Sequence, residues 1–227
     1  DNTTGCITLP RTITIINTPN RPKFAARAIG AGTEHNAVCD STLVAGNRYN
    51  GKITVAPNTV GTAGSYTYAW FKGAGTAPAN LIAAATDSVI TQIQGGTYTV
   101  RITSTNPPGN ACDTTIQVTI NNTPNTNFTA FNLNTAVTTS NNTSCTATAN
   151  GTIVLDPTSL TANPVSGSGN YTFRLFNGNA VKATADSTDI STPFDFERLP
   201  AGTYTVDVVD NTTGCITLPR TITIINT

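Results

Sequence analysis

The sequence predicts an all-β fold built of tandem immunoglobulin-like antiparallel β-sandwich modules. Three observations predict it. Apolar residues alternate with threonine and other polar residues over short segments, and a period of two is typical of half-buried strands. Threonine and asparagine number 46 and 25 among the 227 residues, whereas the residues that favour helices are scarce. Finally, Gly, Pro and Asn separate the segments, and an internal repeat sets a module size of about 105 residues, as sandwiches of this kind have.

The alternation is clearest in four segments. Their apolar positions are Ile53 and Val55; Tyr98, Val100 and Ile102; Ile116, Val118 and Ile120; and Tyr204, Val206 and Val208. Threonine suits the outer face of such strands because its β-branch favours extended backbone while its hydroxyl binds water. Each segment is therefore predicted to be a strand with one face in a core.

Two levels of repetition organise the chain. Residues 1–18 recur letter for letter as residues 210–227, a period of 209. Within that period the string Gly-Thr-Tyr-Thr-Val at 96–100 returns at 202–206, so the period contains two diverged halves. We therefore predict that residues 1–18 are the last strand of a preceding module, residues 19–123 are β-sandwich module A, and residues 124–227 are β-sandwich module B. We also expect the chain to be a piece of a longer tandem array.

Aromatic residues on the predicted strands are expected to fill the two cores. The Leu199–Tyr204 run predicts a tyrosine corner, in which the tyrosine hydroxyl bonds the backbone just upstream. A carbohydrate-stacking platform is the alternative for these rings, but a module of this size has too little apolar surface to leave them outside. The predicted core residues are Trp70, Tyr66, Tyr68, Tyr98, Tyr171, Phe173 and Tyr204.

Charge and hydropathy exclude several classes of partner. The formal net charge is zero, so no basic excess indicates nucleic acid, and no apolar run approaches the roughly 18 residues of a membrane span. The overall net charge of zero is the sum of two opposite values, because residues 19–123 carry a net charge of +3 and residues 124–227 carry −3, so charge alternates from module to module. In an array this alternation favours head-to-tail stacking of modules.

No group of residues suits catalysis. The lone His35 has no nucleophile motif near it, and no Gly-rich phosphate loop opens a helix. We therefore predict no catalytic residue, no metal site, no cofactor and no enzyme activity. The best calcium candidates are the pairs Asp186 with Asp189 and Asp207 with Asp210, but calcium needs six to eight oxygens, so ordinary solvated loops are favoured.

The cysteines predict disulfides. Each 209-residue period owns four cysteines, since one of the five belongs to the repeated end, and an even number in a secreted-looking sequence favours pairing. The candidates are Cys6, Cys39, Cys112, Cys145 and Cys215.

Three pairing schemes are open. The first closes each module on itself, with Cys39–Cys112 and Cys145–Cys215 pairs. In an immunoglobulin-like strand order, however, those cysteines lie at opposite ends of a sandwich, about 20 to 30 Å apart, whereas a disulfide needs Cα atoms within about 7 Å. The second scheme avoids this by joining stacked modules, with Cys39 bonded to Cys215 and Cys112 bonded to the copy of Cys145 in the preceding unit. The third pairs Cys6 with Cys39 and Cys112 with Cys145, which share a spacing of 33 residues.

The string Leu-Pro-Ala-Gly-Thr-Tyr-Thr-Val-Asp-Val-Val-Asp-Asn-Thr-Thr-Gly-Cys at 199–215 resembles the SprB-type repeats of Bacteroidetes. It departs from that pattern at Leu175, where the family usually has Trp. The resemblance implies a long cell-surface gliding adhesin, exported by the type IX secretion route, with no catalysis in the repeat. Short Asp-Ser/Thr strings resembling the O-glycosylation signal of that phylum place candidate acceptors at Ser41, Ser88, Thr114 and Ser187.

Together these features predict a non-catalytic repeat unit of a long extracellular adhesin or filament, acting as a stiff structural fibre at the cell surface. The expected partners are neighbouring repeats of the same polypeptide and other filament chains, with no nucleic acid and no membrane span in this segment. The alternative is a module that binds a polysaccharide or glycan surface through its inter-strand loops, of which 57–65 and 157–170 are the longest.

Overall fold

The structure is a computed structural model that describes residues 3–5, 9–16, 21–58, 65–105, 112–161, 168–178, 180–187 and 193–227. Its regular elements are mostly strands, which pair in antiparallel sheets. The prediction of an all-β fold of tandem immunoglobulin-like sandwiches is confirmed by the arrangement of these sheets.

The elements are short, as the spacing of Gly, Pro and Asn predicts. In chain order the strands are β1 Phe24–Ala26, β2 Gly51–Pro57, β3 Tyr66–Lys72, β4 Val89–Ile93, β5 Gly96–Ser104, β6 Asp113–Ile120, β7 Val137–Ser140, β8 Gly151–Leu155, β9 Tyr171–Asn177, β10 Ala180–Ser187, β11 Phe194–Leu199, β12 Gly202–Asp210, β13 Cys215–Ile216 and β14 Arg220–Ile224. The helices α1 Thr126–Thr129 and α2 Thr158–Thr161 are single turns, and 3-10 turns lie at Ser41–Leu43, Pro78–Asn80 and Leu133–Thr135.

The two sandwiches repeat one topology. In the first, one sheet has the strand order β1-β2-β4 and the other β3-β5-β6. In the second, β7, β8 and β11 form one sheet, while the other runs β10-β9-β12 and continues with β13 and β14 along the free edge of β12. In each sandwich the first two strands share a sheet with one later strand, while the third strand shares the other sheet with the last strands, which is the immunoglobulin-like division. In each sandwich, apolar residues from both sheets share one core.

Trp70 is the centre of the first core. Its side chain is fully buried, and its indole nitrogen donates a hydrogen bond to the Asp87 carbonyl at 2.8 Å. Tyr66 and Tyr68 are half-buried and pack against the same core, where the Phe24 ring meets Tyr66 edge-on at 4.9 Å between centroids. These rings are therefore packed against one another, an arrangement that does not leave Trp70 a free face for a sugar ring.

The second core is centred on β9. Tyr171 and Phe173 are fully buried, and the Phe128 ring of α1 stacks on Tyr171 with centroids 5.9 Å apart. Leu175 is buried on the same face of β9. Alternation along one strand thus places three large apolar side chains in one core, and each contributes a few kcal/mol by leaving water.

Both modules contain a tyrosine corner. The Tyr204 hydroxyl donates to the Pro200 carbonyl at 2.9 Å, and the Tyr98 hydroxyl donates to the Gln94 carbonyl at the same distance. Each ring is almost fully buried, so the hydrogen bond satisfies a polar group that would otherwise be unpaired in the core.

The repeated end segment takes two conformations. Ile222 and Ile224 of β14 are 6% and 1% exposed, because β14 pairs with β12. Their identical counterparts Ile13 and Ile15 are 78% and 91% exposed, and residues 9–16 form no strand. Since the two segments share one sequence, their difference comes from tertiary contacts, and the strand forms where β12 is available to pair with it.

Candidate functional site

The candidate site is the junction at which the two sandwiches meet. A disulfide joins Cys39, which precedes β2 of the first sandwich, to Cys215 at the start of β13 in the second, with Cα atoms 4.9 Å apart. The inter-module pairing of these two cysteines is therefore confirmed. A backbone hydrogen bond of 2.8 Å, from the Cys39 amide to the Thr213 carbonyl, accompanies the disulfide.

The other pairing schemes are wrong wherever they use these two cysteines. Cys39 is not bonded to Cys112 or Cys6, and Cys145 is not bonded to Cys215. Cys112 and Cys145 are free thiols, which also excludes a bond between them. A bond within one sandwich does not form because its two cysteines lie at opposite ends of it, too far apart for a disulfide. Cys6 lies outside the described residues.

A network of asparagines holds the chain that leads to Cys39. The fully buried Asn36 donates from its amide nitrogen to the Asn122 side chain at 2.8 Å and to the Val38 carbonyl at 2.9 Å. Its side-chain oxygen accepts from the Val38 and Asn50 amides, each at 3.3 Å. Because the network ties this segment to the ends of β2 and β6, the position of Cys39 is fixed by the first sandwich.

The opposing turn is built around Asp210. The Asp210 carboxylate is buried and accepts hydrogen bonds from the Thr212 and Thr213 amides and from the amide and hydroxyl of Ser168. These bonds order residues 210–214, which end in Gly214 at φ +64°. On the facing side, Asp40 accepts from the amide and hydroxyl of Thr42, and these hydrogen bonds lower the pKa of the Asp40 carboxyl.

A cleft of about 360 Å³ opens beside the disulfide. It is lined on one side by the segment between Cys39 and β2, and on the other by the loops around Asn170 and Asn211. Asn211 donates to the Asn170 side chain at 3.0 Å and accepts from the Thr172 hydroxyl at 2.9 Å. The lining residues that carry polar side chains are Arg48, Tyr49, Asn50, Asn170, Asn211 and Thr212.

The carboxylates of Asp207 and Asp210, one of the two pairs considered for calcium, bind other groups of the protein. Asp207 forms a bidentate ion pair with Arg174, and the Asp210 carboxylate is occupied by the turn. Within the described ranges, no group of three or more His, Cys, Asp or Glu side chains could hold a metal ion. The Asp186 side chain and residue Asp189 lie outside the described part. His35 accepts a hydrogen bond from the Asn121 amide at 3.2 Å.

Three of the four candidate glycosylation sites lie at the surface of the first sandwich. Ser41, Ser88 and Thr114 are all partly exposed, and the Ser187 side chain lies outside the described residues. Of the two long loops, residues 59–64 and 162–167 are likewise outside them. No helix in the described part of the chain has the length and apolar character needed to cross a membrane.

Sequence reasoning missed the asparagine network. Its signal was the identical spacing of Asn36 with Cys39 and of Asn142 with Cys145, at an offset of 106 residues. In a chain with 25 asparagines that spacing did not stand out.

Comparisons with known proteins find similar folds only. No family model matches the chain, and no curated protein sequence matches it. One similar solved structure comprises three N-terminal domains of the bacteriophage RB49 Highly Immunogenic Outer Capsid protein (Hoc), at 10% identity and a TM-score of 0.38, covering 91% of this chain. This chain spans 59% of the length of that one. Another comprises fibronectin(III)-like modules of Clostridium thermocellum CbhA, at 14% identity and a TM-score of 0.23, covering 78% of this chain and 85% of that one.

Proposed function

We propose that this chain is a non-catalytic repeat unit of a long extracellular adhesin or filament, in which residues 19–123 and 124–227 are successive modules. The observation that supports this most is the Cys39–Cys215 disulfide, which joins the end of one sandwich to the facing end of the next. A disulfide at that place does not close a module, so its contribution is to hold two modules in one orientation. A fixed junction is what a fibre that bears tension requires.

Three further features agree with a fibre at the cell surface. Disulfides persist in oxidising compartments outside the cytoplasm, which fits export. The 209-residue period and the resemblance of residues 199–215 to SprB-type repeats fit a tandem array secreted by the type IX route and used in gliding or attachment. The opposite net charges of the two halves favour head-to-tail stacking, with neighbouring repeats as the main partners, although salt screens exposed charges beyond about 8 Å.

Small-angle scattering on chains of one, two and four units tests the proposal. A stiff fibre has a maximum dimension that grows linearly with unit number, whereas a flexible chain grows more slowly, roughly as the square root of length. The matched control is the Cys39→Ser chain, in which the junction loses its covalent bond while both cores remain. A wild-type series that scales as a coil contradicts the proposal.

The second candidate is glycan binding, and the cleft at the junction favours it. A volume of about 360 Å³ lies within the range of small-ligand sites, about 300–1,000 Å³, and the polar side chains among its lining residues suit a hydroxylated ligand. A glycan array probed with the single chain tests it, with Arg48→Ala and Asn211→Ala as variants that change the lining. Binding that both variants lose supports a site in the cleft, and an array without signal removes this candidate.

A further inference from the structure

The lower end of each sandwich is the end that carries Cys39 or Cys145, and the upper end is the one that carries Cys112 or Cys215. The lower end of the second sandwich repeats the network that positions Cys39. Asn142 donates to the Asn226 side chain at 2.8 Å, as Asn36 donates to Asn122. The Asn142 oxygen accepts from the Asn150 amide at 3.0 Å, as that of Asn36 accepts from Asn50.

The backbone bonds around this network are repeated as well. Asn142 pairs with the end of β14 through its amide and carbonyl, at 3.0 Å each. Asn36 pairs with the segment after β6 in the same way, at 3.0 and 2.7 Å. The network therefore holds Cys145 at the lower end of the second sandwich in the same way as the equivalent network holds Cys39 at the lower end of the first.

The upper ends correspond in the same manner. Cys215 pairs with Asp210, the last residue of β12. Cys112 accepts a hydrogen bond at 3.1 Å from the amide of Ser104, the last residue of β5. Ser104 and Asp210 are equivalent positions at an offset of 106 residues. Each upper cysteine thus pairs in the same register with the last residue of the long strand before it, β5 for Cys112 and β12 for Cys215.

Of the four equivalent positions, two are bonded to each other and two are free thiols. We propose that Cys145 of one copy bonds to Cys112 of the next copy along the same fibre, so that every junction in the array is covalently closed. The occupant of the lower end is a second copy of this chain, because the equivalent end of the first sandwich already binds the upper end that carries Cys215. The inference rests on the proposed tandem function and names the contact between units.

The bond forms by thiol–disulfide exchange with a small-molecule disulfide such as oxidised glutathione. The Cys145 thiolate attacks one glutathione sulfur and releases one glutathione thiolate, leaving a mixed disulfide. The Cys112 thiolate then attacks the Cys145 sulfur and releases the second. Two protein thiols lose two protons and two electrons, and one molecule of oxidised glutathione becomes two of the reduced form.

The two junctions differ in their non-covalent contacts. Cys39 and Asn50 are separated by ten residues, which include the 3-10 turn Ser41–Leu43, and this segment lines the cleft against the second sandwich. Cys145 and Asn150 are separated by four residues. Because the shorter segment offers less surface, the junction between units depends more on its disulfide than the junction within a unit.

A two-unit chain tests the inference. Residues 19–227 are appended to Thr227, which continues the sequence without foreign residues, and Cys6→Ser removes the extra thiol. After oxidation in a glutathione buffer, free thiols are alkylated under denaturing conditions and the disulfides are mapped by mass spectrometry. We expect Cys39–Cys215 in both units, and Cys145 of the first unit bonded to Cys112 of the second about tenfold more often than any other pair of the remaining cysteines. All four remaining cysteines are tethered in one chain, but only these two meet at the junction between units, which raises their effective concentration.

Cys145→Ser in the first unit is the control. Cys145 is exposed, so the variant should fold, and Cys112 of the second unit should become alkylated. Random pairing, or free Cys145 and Cys112 beside closed Cys39–Cys215 bonds, overturns the inference. Scattering on the same chain keeps the two proposals apart, because a rod without the cross-link removes only this inference, and a coil with the cross-link removes the proposed function.

Discussion

The backbone of Gly214 lies directly against the carbonyl of Asp40, so that a side chain at this position would overlap it. Gly214 also has φ +64°, a conformation that costs other residues about 1–2 kcal/mol. The contact lies next to the Cys39–Cys215 disulfide, because Asp40 directly follows Cys39 and Gly214 directly precedes Cys215. The close approach of the two sandwiches therefore depends on a glycine beside a cysteine.

We expect Gly214→Ala to open the junction. The added methyl group must push Asp40 away, which separates Cys39 from Cys215 and makes their bond easier to reduce. The measurement is the fraction of Cys39–Cys215 disulfide over a series of glutathione redox buffers, read by alkylation and mass spectrometry. The variant should need a more oxidising buffer than the wild type.

Two glycines provide matched controls. Gly5 is the sequence copy of Gly214, has φ +70°, and has nothing within 4 Å of an added Cβ. Gly178 has φ +63° in the second sandwich and is equally unobstructed. Gly5→Ala should leave the disulfide unchanged, and Gly178→Ala should carry only the backbone cost. An effect of Gly214→Ala no larger than that of Gly178→Ala would show that the Asp40 contact is unimportant.

Replacing Asn36 by Ala should destabilise the first sandwich by about 1–3 kcal/mol, because the amides that it accepts from are left unpaired in a buried place. Asn142→Ala should cost the second sandwich a similar amount, since its partners are equivalent. Chemical unfolding measures both. Only Asn36→Ala should also speed hydrogen exchange of the Cys39 amide, which bonds Thr213 across the junction.

The surface variant Asn58→Ala is the reference for these two. Asn58 is exposed, so its replacement should change stability by less than about 0.5 kcal/mol. Equal exchange rates of the Cys39 amide in the Asn36→Ala and Asn142→Ala chains would contradict a local role of the network at the junction.

The fold could be predicted because its signals are local and periodic. Alternation in β5 and β12 follows from the chemistry of a half-buried strand, and the positions of Tyr98 and Tyr204 recur with the repeat. The pairing of Cys39 with Cys215 depends on how far apart the cysteines lie. Strand order excludes pairs at opposite ends of one sandwich, but it does not say which partner from another module is near. For Cys39, the structure selects Cys215 among the three partners that the sequence left open.

The junction itself could not be predicted in detail. The role of Asn36 depends on hydrogen-bond partners 14 and 86 residues away in the sequence. No local sequence pattern predicts contacts between residues so far apart. The exposed Ile13 and buried Ile222 make the same point, because identical local sequence gives different structure when tertiary partners differ. The ion pair of Arg174 and Asp207 was also not predicted, because its members are far apart in sequence and become neighbours only when β9 pairs with β12.

Removing one member of that pair should be strongly destabilising. Arg174 donates to both carboxylate oxygens of Asp207, at 2.6 and 2.7 Å, and the two side chains are 20% and 10% exposed. Asp207→Ala leaves a largely buried guanidinium without its partner, which costs about 3–5 kcal/mol in buried sites and less here because of the residual exposure. Thermal and chemical unfolding of the variant measure the loss.

The double variant Arg174→Ala with Asp207→Ala completes the cycle. It should be less destabilised than the sum of the single variants, because the second replacement removes the unpaired charge that the first created. The first sandwich has Ala69 and Arg101 at the equivalent paired positions, so the fold accepts a site without this ion pair. Additive losses in the cycle would mean that the two charges do not interact.

The tyrosine corner predicts how stability depends on pH. Burial raises the pKa of the Tyr204 hydroxyl above its ordinary value near 10, and burial does the same for Tyr98. The native state therefore holds these protons more tightly than the unfolded chain. Their contribution to stability is complete below the unfolded pKa, and it is lost as pH rises from about 10 through the higher folded value.

Tyr204→Phe separates the hydrogen bond from the titration. At neutral pH the variant loses the bond to the Pro200 carbonyl, which should cost about 1 kcal/mol and leave that carbonyl without this donor. Above pH 10 the variant should lose less stability than the wild type, because one buried hydroxyl no longer ionises on unfolding. Tyr98→Phe is the counterpart in the first sandwich, since its hydrogen bond to Gln94 has the same length. Unfolding midpoints measured from neutral pH upwards, with phenolate absorbance recorded alongside, should converge for wild type and variant as pH rises. Parallel curves would show that the Tyr204 proton is held no more tightly in the folded chain than in the unfolded one.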